Sequence, residues 1–214
     1  MRSVKDLPLL CTLPWGWNVP TVRLADQEHP MRQILPYTDD PAANALLEED
    51  PFALLVGIVL YQQIPVETAF AGPSRLKDRL GGNLDPSAIA ELDPASLEVL
   101  FKEKPAIHRF PGNMAKRVQA IAQYVDDEYD GDTTNIWRDV DDASGLVTRL
   151  KAMPGFGEYK ARIYLAVLGR RFAVQPDGWE VYLPDWPNIS EIETPEDRAD
   201  LKARKKAWKA TQKS

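Results

Sequence analysis

The stretch Met-Pro-Gly-Phe-Gly-Glu-Tyr-Lys-Ala-Arg, residues 153–162, sets a proline and two glycines between two apolar, helix-forming runs. A helix that restarts directly after such a break exposes backbone N–H groups with no partner inside the helix, at the positive end of its dipole. Gly155 and Gly157 can take positive φ and keep side chains out of the way, so an anion such as a phosphate can reach the backbone. Arg149, Lys151, Lys160 and Arg162 supply phosphate-seeking charge on both sides, and the small Ala161 lets the flanking helices pack closely. The same residues also suit a ligand-free helix–helix turn.

The elements around the break read as helices throughout. Asp40-Pro41, Asp50-Pro51, Asp85-Pro86 and Asp93-Pro94 each offer a side-chain N-cap followed by proline at the first helical position. The run from Phe52 to Leu60 is apolar nearly all round, as expected of a helix at the centre of a core. Val118, Ile121, Ala122 and Val125 recur at spacings of three and four on one face of a further helix. Gly72-Pro73 interrupts another, and Gly169 is expected to stop the helix that leaves the break. No alternating-polarity strand of convincing length and no internal repeat is present, so an all-α body is expected. Three segments are expected: a Pro-rich arm over 1–40 with Trp15 and Trp17 as anchors, a helical core over 41–180, and a C-terminal segment over 181–214 with a basic helical tail.

Composition narrows the function. One cysteine, Cys11, excludes an internal disulfide framework and an all-cysteine iron–sulfur site within the chain, and two unpaired histidines, His29 and His108, argue against a histidine-built metal site. No apolar run reaches membrane-spanning length, and Leu7–Leu13 is too short and too Pro-interrupted for a signal peptide, so a cytoplasmic protein is expected. The net charge of −6 argues against a nucleic-acid partner and suits a protein-interaction module, but the charge is segregated. Residues 145–175 carry six basic side chains against Glu158 alone, residues 102–117 carry five against Glu103, and residues 198–214 carry seven against Asp200. Residues 125–144 carry eight acids against Arg138. The first basic block coincides with the glycine-rich break.

The residues at this point resemble a family. Met153-Pro154-Gly155-Phe156-Gly157 with Ala161 is similar to the hairpin of the helix–hairpin–helix (HhH-GPD) DNA glycosylase superfamily: a hydrophobic residue, Pro-Gly, any residue, Gly, then alanine four positions on. Asp177, in Gln-Pro-Asp-Gly-Trp, stands twenty-two positions after Gly155, where the family carries its catalytic aspartate. The segment from Pro51 to Ala69 resembles the family's central helix, which ends in a glutamine-containing corner that enters the DNA minor groove. The resemblance spans roughly residues 50–180 and is closest to bacterial base-excision-repair-type members.

The resemblance implies a two-lobed helical fold that binds double-stranded DNA containing a damaged or mismatched base, which is flipped into a cleft. Gly155, Phe156, Gly157, Lys160 and Arg162 would hold a backbone phosphate, and Gln63, with Gln62 or Ile64, would fill the gap left by the flipped nucleotide. Asp177 would be the catalytic carboxylate, stabilising an oxocarbenium-like sugar and orienting water. Tyr61, Tyr159 and Trp179, with Phe110 and Trp137, are pocket candidates that equally suit core packing. No metal is needed for this step; the resemblance allows a monovalent cation at the hairpin and no other cofactor.

Three departures bear on the activity. Bifunctional members carry a lysine two positions after the second hairpin glycine, where this chain has Tyr159; Lys160 is one residue later, about 100° round the helix. The usual Val-Asp context is replaced by Pro176-Asp177-Gly178, which also reads as an ordinary turn. The four-cysteine cluster of some relatives is absent. The expectation is a monomeric, monofunctional glycosylase in base excision repair; the alternative is a DNA-binding protein that keeps the hairpin and has lost catalysis.

Overall fold

The computed structural model describes residues 35–212, together with the backbone of two three-residue strands, β1 (Leu10–Thr12) and β2 (Asn18–Pro20), which pair antiparallel. Trp15 and Trp17 lie outside the described residues, as does most of the Pro-rich arm. The body is all-α. Ten helices follow in order: α1 (Pro41–Glu49), α2 (Pro51–Leu60), α3 (Val66–Phe70), α4 (Gly72–Arg79), α5 (Pro86–Glu91), α6 (Pro94–Lys102), α7 (Pro111–Tyr129), α8 (Ala143–Ala152), α9 (Glu158–Phe172) and α10 (Asp197–Thr211).

The Asp-Pro pairs start helices as their chemistry dictates. Asp40 accepts from the amide of Ala42 (2.9 Å), Asp50 from Phe52 and Ala53 (2.9 and 3.1 Å), Asp85 from Ser87 (2.9 Å) and Asp93 from Ser96 (2.8 Å). Each cap satisfies a backbone donor the helix itself leaves open, and the following proline has no N–H to satisfy. The break at Gly72 separates α3 from α4.

Every residue of α2 from Phe52 to Leu60 is buried, so this helix forms the axis of the core. Gly57 permits the contact with α3: a Cβ there would stand 2.6 Å from Phe70 Cδ1. The buried face of α7 contains Val118, Ile121, Ala122 and Val125, as their spacing predicts, and α5 and α6 pack against that helix. The hairpin helices α8 and α9 join the same core through Leu146, Leu150, Tyr164 and Leu168.

Gly169 does not end α9, which runs on to Phe172 and closes on Ala173 in the left-handed region (φ 57°). The missing side chain serves packing instead, since a Cβ on Gly169 would meet the Trp179 ring at 2.4 Å. The chain thus folds back over α9 after its end, through 3-10 turns at Trp179–Tyr182 and Ile189–Glu191, before α10 begins. Among the described residues no helix is long and apolar enough to cross a membrane.

Candidate nucleic-acid interface

The turn between α8 and α9 is built to leave amides open. Phe156 donates its N–H to Met153 O (3.1 Å), and its ring is buried against Tyr164. Phe156 therefore anchors the turn rather than facing outward. Gly155 has φ +74°, a conformation that favours glycine, whereas Gly157 is extended (φ −103°, ψ −178°). The expectation of positive φ at both glycines holds for Gly155 alone. Gly157 has open space where a Cβ would stand, and no side chain caps α9. The first intrahelical bond runs from Ala161 N to Gly157 O (3.1 Å), so the amides of Glu158, Tyr159 and Lys160 lack helical acceptors. The carboxylate of Glu158 is drawn aside by Lys151 at 2.8 Å.

Two cations frame the turn. Lys160 Nζ donates to Gly155 O (3.0 Å) and lies 5.5 Å from the centroid of the Phe156 ring. Arg117 Nη1 lies 3.9 Å from where a Gly155 Cβ would be and donates to Gln62 Oε1 at 2.8 Å. Arg117, on α7, thus links the end of α2 to the hairpin. Burial, reinforced by Arg117, holds the Lys160 ammonium down to about 8. An anion bound at the turn favours the protonated amine, so affinity for a duplex is expected to fall as pH rises from 7 to 9, through that value. A titration of duplex binding at fixed ionic strength checks this; Lys160→Arg should flatten the profile.

The segment after α2 holds the glutamines. Gln62 donates its Nε2 to Val59 O (2.6 Å), and its carbonyl accepts from His108 Nε2 (3.0 Å). Because His108 Nδ1 accepts from Phe110 N (3.0 Å), its ring carries the proton on Nε2; burial lowers its pKa and keeps it neutral. Gln63 is exposed, with φ 57°; Ile64 is half-buried.

The remaining candidates separate into those beside the hairpin and those away from it. Tyr159 is 50% exposed and stacks on Trp186 (centroids 4.9 Å, planes 12° apart). Arg162 donates to the carbonyls of Tyr182 and Leu183 (2.9 and 2.6 Å) and lies over the Trp186 ring at 4.9 Å. It straps the returning chain to α9. Arg149 likewise turns to the carbonyls of Asn135, Ile136 and Arg138. Tyr61 is partly buried against Phe70, and Lys205 of α10 donates to its hydroxyl at 2.6 Å; burial pushes the Tyr61 hydroxyl pKa up.

Asp177 and Trp179 lie elsewhere. Gln175 Nε2 donates to Gly169 O (2.8 Å) and Trp179 covers Gly169, so both neighbours of this turn sit twelve residues along α9 from Gly157. At the helical rise this is about 18 Å. Asp177 O accepts from Ala143 N (3.0 Å) at the start of α8, and its carboxylate is exposed with no hydrogen-bond partner among the described residues.

A monovalent cation at the hairpin would need outward carbonyls from the turn. Gly155 O faces the Lys160 ammonium, whose charge would repel such an ion, while Met153 O accepts one hydrogen bond from Phe156 N and keeps a second lone pair. His108, Arg117, Trp186 and Lys205 were not singled out by spacing as parts of this face. Only the basic blocks containing Arg117 and Lys205 hinted at them.

No curated protein and no solved structure matches the chain. The family model of the HhH-GPD superfamily base excision DNA repair proteins matches residues 56–169, taking in the second half of α2, the glutamine segment, the hairpin and α9 as far as Gly169. A match over more than half the length, which takes in a hairpin whose open amides and flanking cations suit a phosphate, places the chain in the HhH-GPD superfamily of base excision DNA repair proteins.

Proposed function

We propose that the protein is a cytoplasmic, monomeric DNA glycosylase that hydrolyses the N-glycosidic bond of a damaged or mismatched base in double-stranded DNA and does not cleave the strand. The observation that carries this reading is the hairpin: open amides at Glu158–Lys160, an unobstructed Gly157, and Lys160 and Arg117 beside Gly155. Such a turn grips a backbone phosphate without reading sequence. Gln63, exposed on a tight turn that His108 and Arg117 brace through Gln62, is the residue we assign to the gap left by the extruded nucleotide. Asp177 is assigned as the carboxylate that stabilises the developing sugar cation as the base departs.

The hairpin's side chains support the reading without strand cleavage. Tyr159 stands where bifunctional relatives carry their lysine, and it is stacked on Trp186. Lys160 is turned to Gly155 O. Tyr159 carries no amine, and the Lys160 amine is engaged with the turn's backbone one position further on.

The exposure of Asp177, with no group fixing its carboxylate, favours a second reading: a DNA-binding member of the superfamily without catalysis. An excision screen over duplexes carrying uracil, oxidised, alkylated or mismatched bases separates the two. The expected result is release of one class of base, with strands that stay intact until alkali or heat opens the abasic site. Salt-dependent duplex binding with no base released from any substrate would establish the second reading. A borohydride-trapped adduct that depends on Lys160 would overturn the assignment as monofunctional.

A further inference from the structure

Several partly buried cations of this molecule are satisfied by the protein itself. Arg149 and Arg162 spend their guanidinium groups on backbone carbonyls, while Arg171, Arg198 and Arg204 are each paired with a carboxylate, Glu193, Asp39 and Glu191 respectively. Lys160 and Lys205 differ: each is partly buried, and among the described residues neither ammonium has a carboxylate within 4.0 Å. A cation withdrawn from water without a counter-charge is costly, and an arriving anion removes that cost.

Lys160 belongs to the hairpin. Lys205 does not. It projects from α10, donates to the Tyr61 hydroxyl (2.6 Å) and lies 4.7 Å from the centroid of that ring. The neighbouring Gln62 turns instead to Arg117 and His108. Consecutive residues just before Gln63 therefore lead to two separate cation groups, one at the hairpin and one on α10. Helix α10 is positioned for this by Arg198, which reaches Tyr37 O, Asp39 and Glu67, by Arg204 on Glu191, and by the buried Leu201. Its outer side carries Lys202, Lys206 and Lys209, all exposed. Burial, with Lys209 adding and Glu191 partly offsetting, holds the Lys205 ammonium down to about 8.

We propose that Lys205 is a second phosphate-receiving cation, holding a backbone phosphate of the DNA on the α10 side of Gln63 while the hairpin holds another. The proposal rests on the DNA-binding reading above and adds a contact from outside the matched family segment.

The test uses the full chain and a short duplex containing a tetrahydrofuran abasic-site analogue, with affinity measured across a salt series. Lys205→Met should weaken binding by about tenfold, as loss of one charge-assisted contact does, and lower the slope of log affinity against log salt by about 1. Lys205→Arg should restore the slope. A single neutral methylphosphonate, walked along the strand beside the analogue, should reveal one position that weakens the wild type and leaves Lys205→Met unaffected. If Lys205 only pins α10 to Tyr61, Lys205→Met will lower the melting temperature with slope and phosphate map unchanged, and the proposal fails. Should the methionine variant not fold, Lys205→Gln takes its place in the same comparison. A wild-type chain that binds no duplex at any salt concentration would sink the DNA-binding reading and this proposal together; wild-type binding with an unaltered variant slope sinks this proposal alone.

Discussion

Asp177→Asn is expected to leave duplex affinity unchanged and to cost about 10²–10³-fold in base excision, the scale on which removal of one electrostatic stabiliser of a transition state acts. The substitution is nearly isosteric and removes only the charge. Stability should survive it, because the turn is held by backbone and by neighbours: Asp177 O on Ala143 N, Gln175 on Gly169 O, and Trp179 over Gly169. The carboxylate itself makes no hydrogen bond among the described residues, so no partner is left stranded. Single-turnover excision on the substrate found by the screen, beside equilibrium binding, separates the two quantities. Full activity in the variant would leave Asp177 as a turn residue; a loss of affinity equal to the loss of rate would make it a binding group.

The second large effect is expected at the hairpin. Gly157→Val should fold normally, since its backbone is extended and nothing stands within 4 Å of the new Cβ. Its branched side chain would lie over the open amides of Glu158 and Tyr159 and block a phosphate. Loss of one or two charge-assisted hydrogen bonds, each worth about 1.5–3 kcal/mol, predicts a fall in duplex affinity of at least about tenfold, with no change in sequence preference. Gly155→Val makes the less useful variant, because φ +74° strains any branched residue and confounds binding with folding. A folded Gly157→Val protein with wild-type affinity would remove the hairpin from the interface.

These two positions also mark what was legible in the chain. The Asp-Pro helix starts and the core face of α7 depend on groups within four residues of one another, and the structure matches them closely. The hairpin was readable for the same reason, except for the conformation of Gly157 and the inward turn of Phe156, which tertiary packing decides. Gly169 misled because a glycine that suits a helix end equally suits an indole pressed against a helix. Contacts across the fold left no local trace. Arg117 meets Gln62 from 55 residues away, His108 from 46 and Lys205 meets Tyr61 from 144. The charge of Arg162 pointed outward in the sequence, yet in the fold it is spent on Tyr182 and Leu183.

The burial of α2 from Phe52 to Leu60 has a bearing on how such a protein can diversify. That helix holds the architecture together while offering the surface only the short segment beyond its C-terminus, so its residues that keep the chain folded are set apart from the exposed ones we propose meet DNA. Exchanges at exposed positions such as Lys202 and Lys206 change stability little, whereas exchanges along Phe52–Leu60 are penalised by cavities or overpacking. Drift is therefore channelled to the rim. Gln63 is the exception within the rim: its left-handed backbone favours glycine or asparagine as replacements and disfavours branched residues, so this corner explores a narrower alphabet than its exposure suggests.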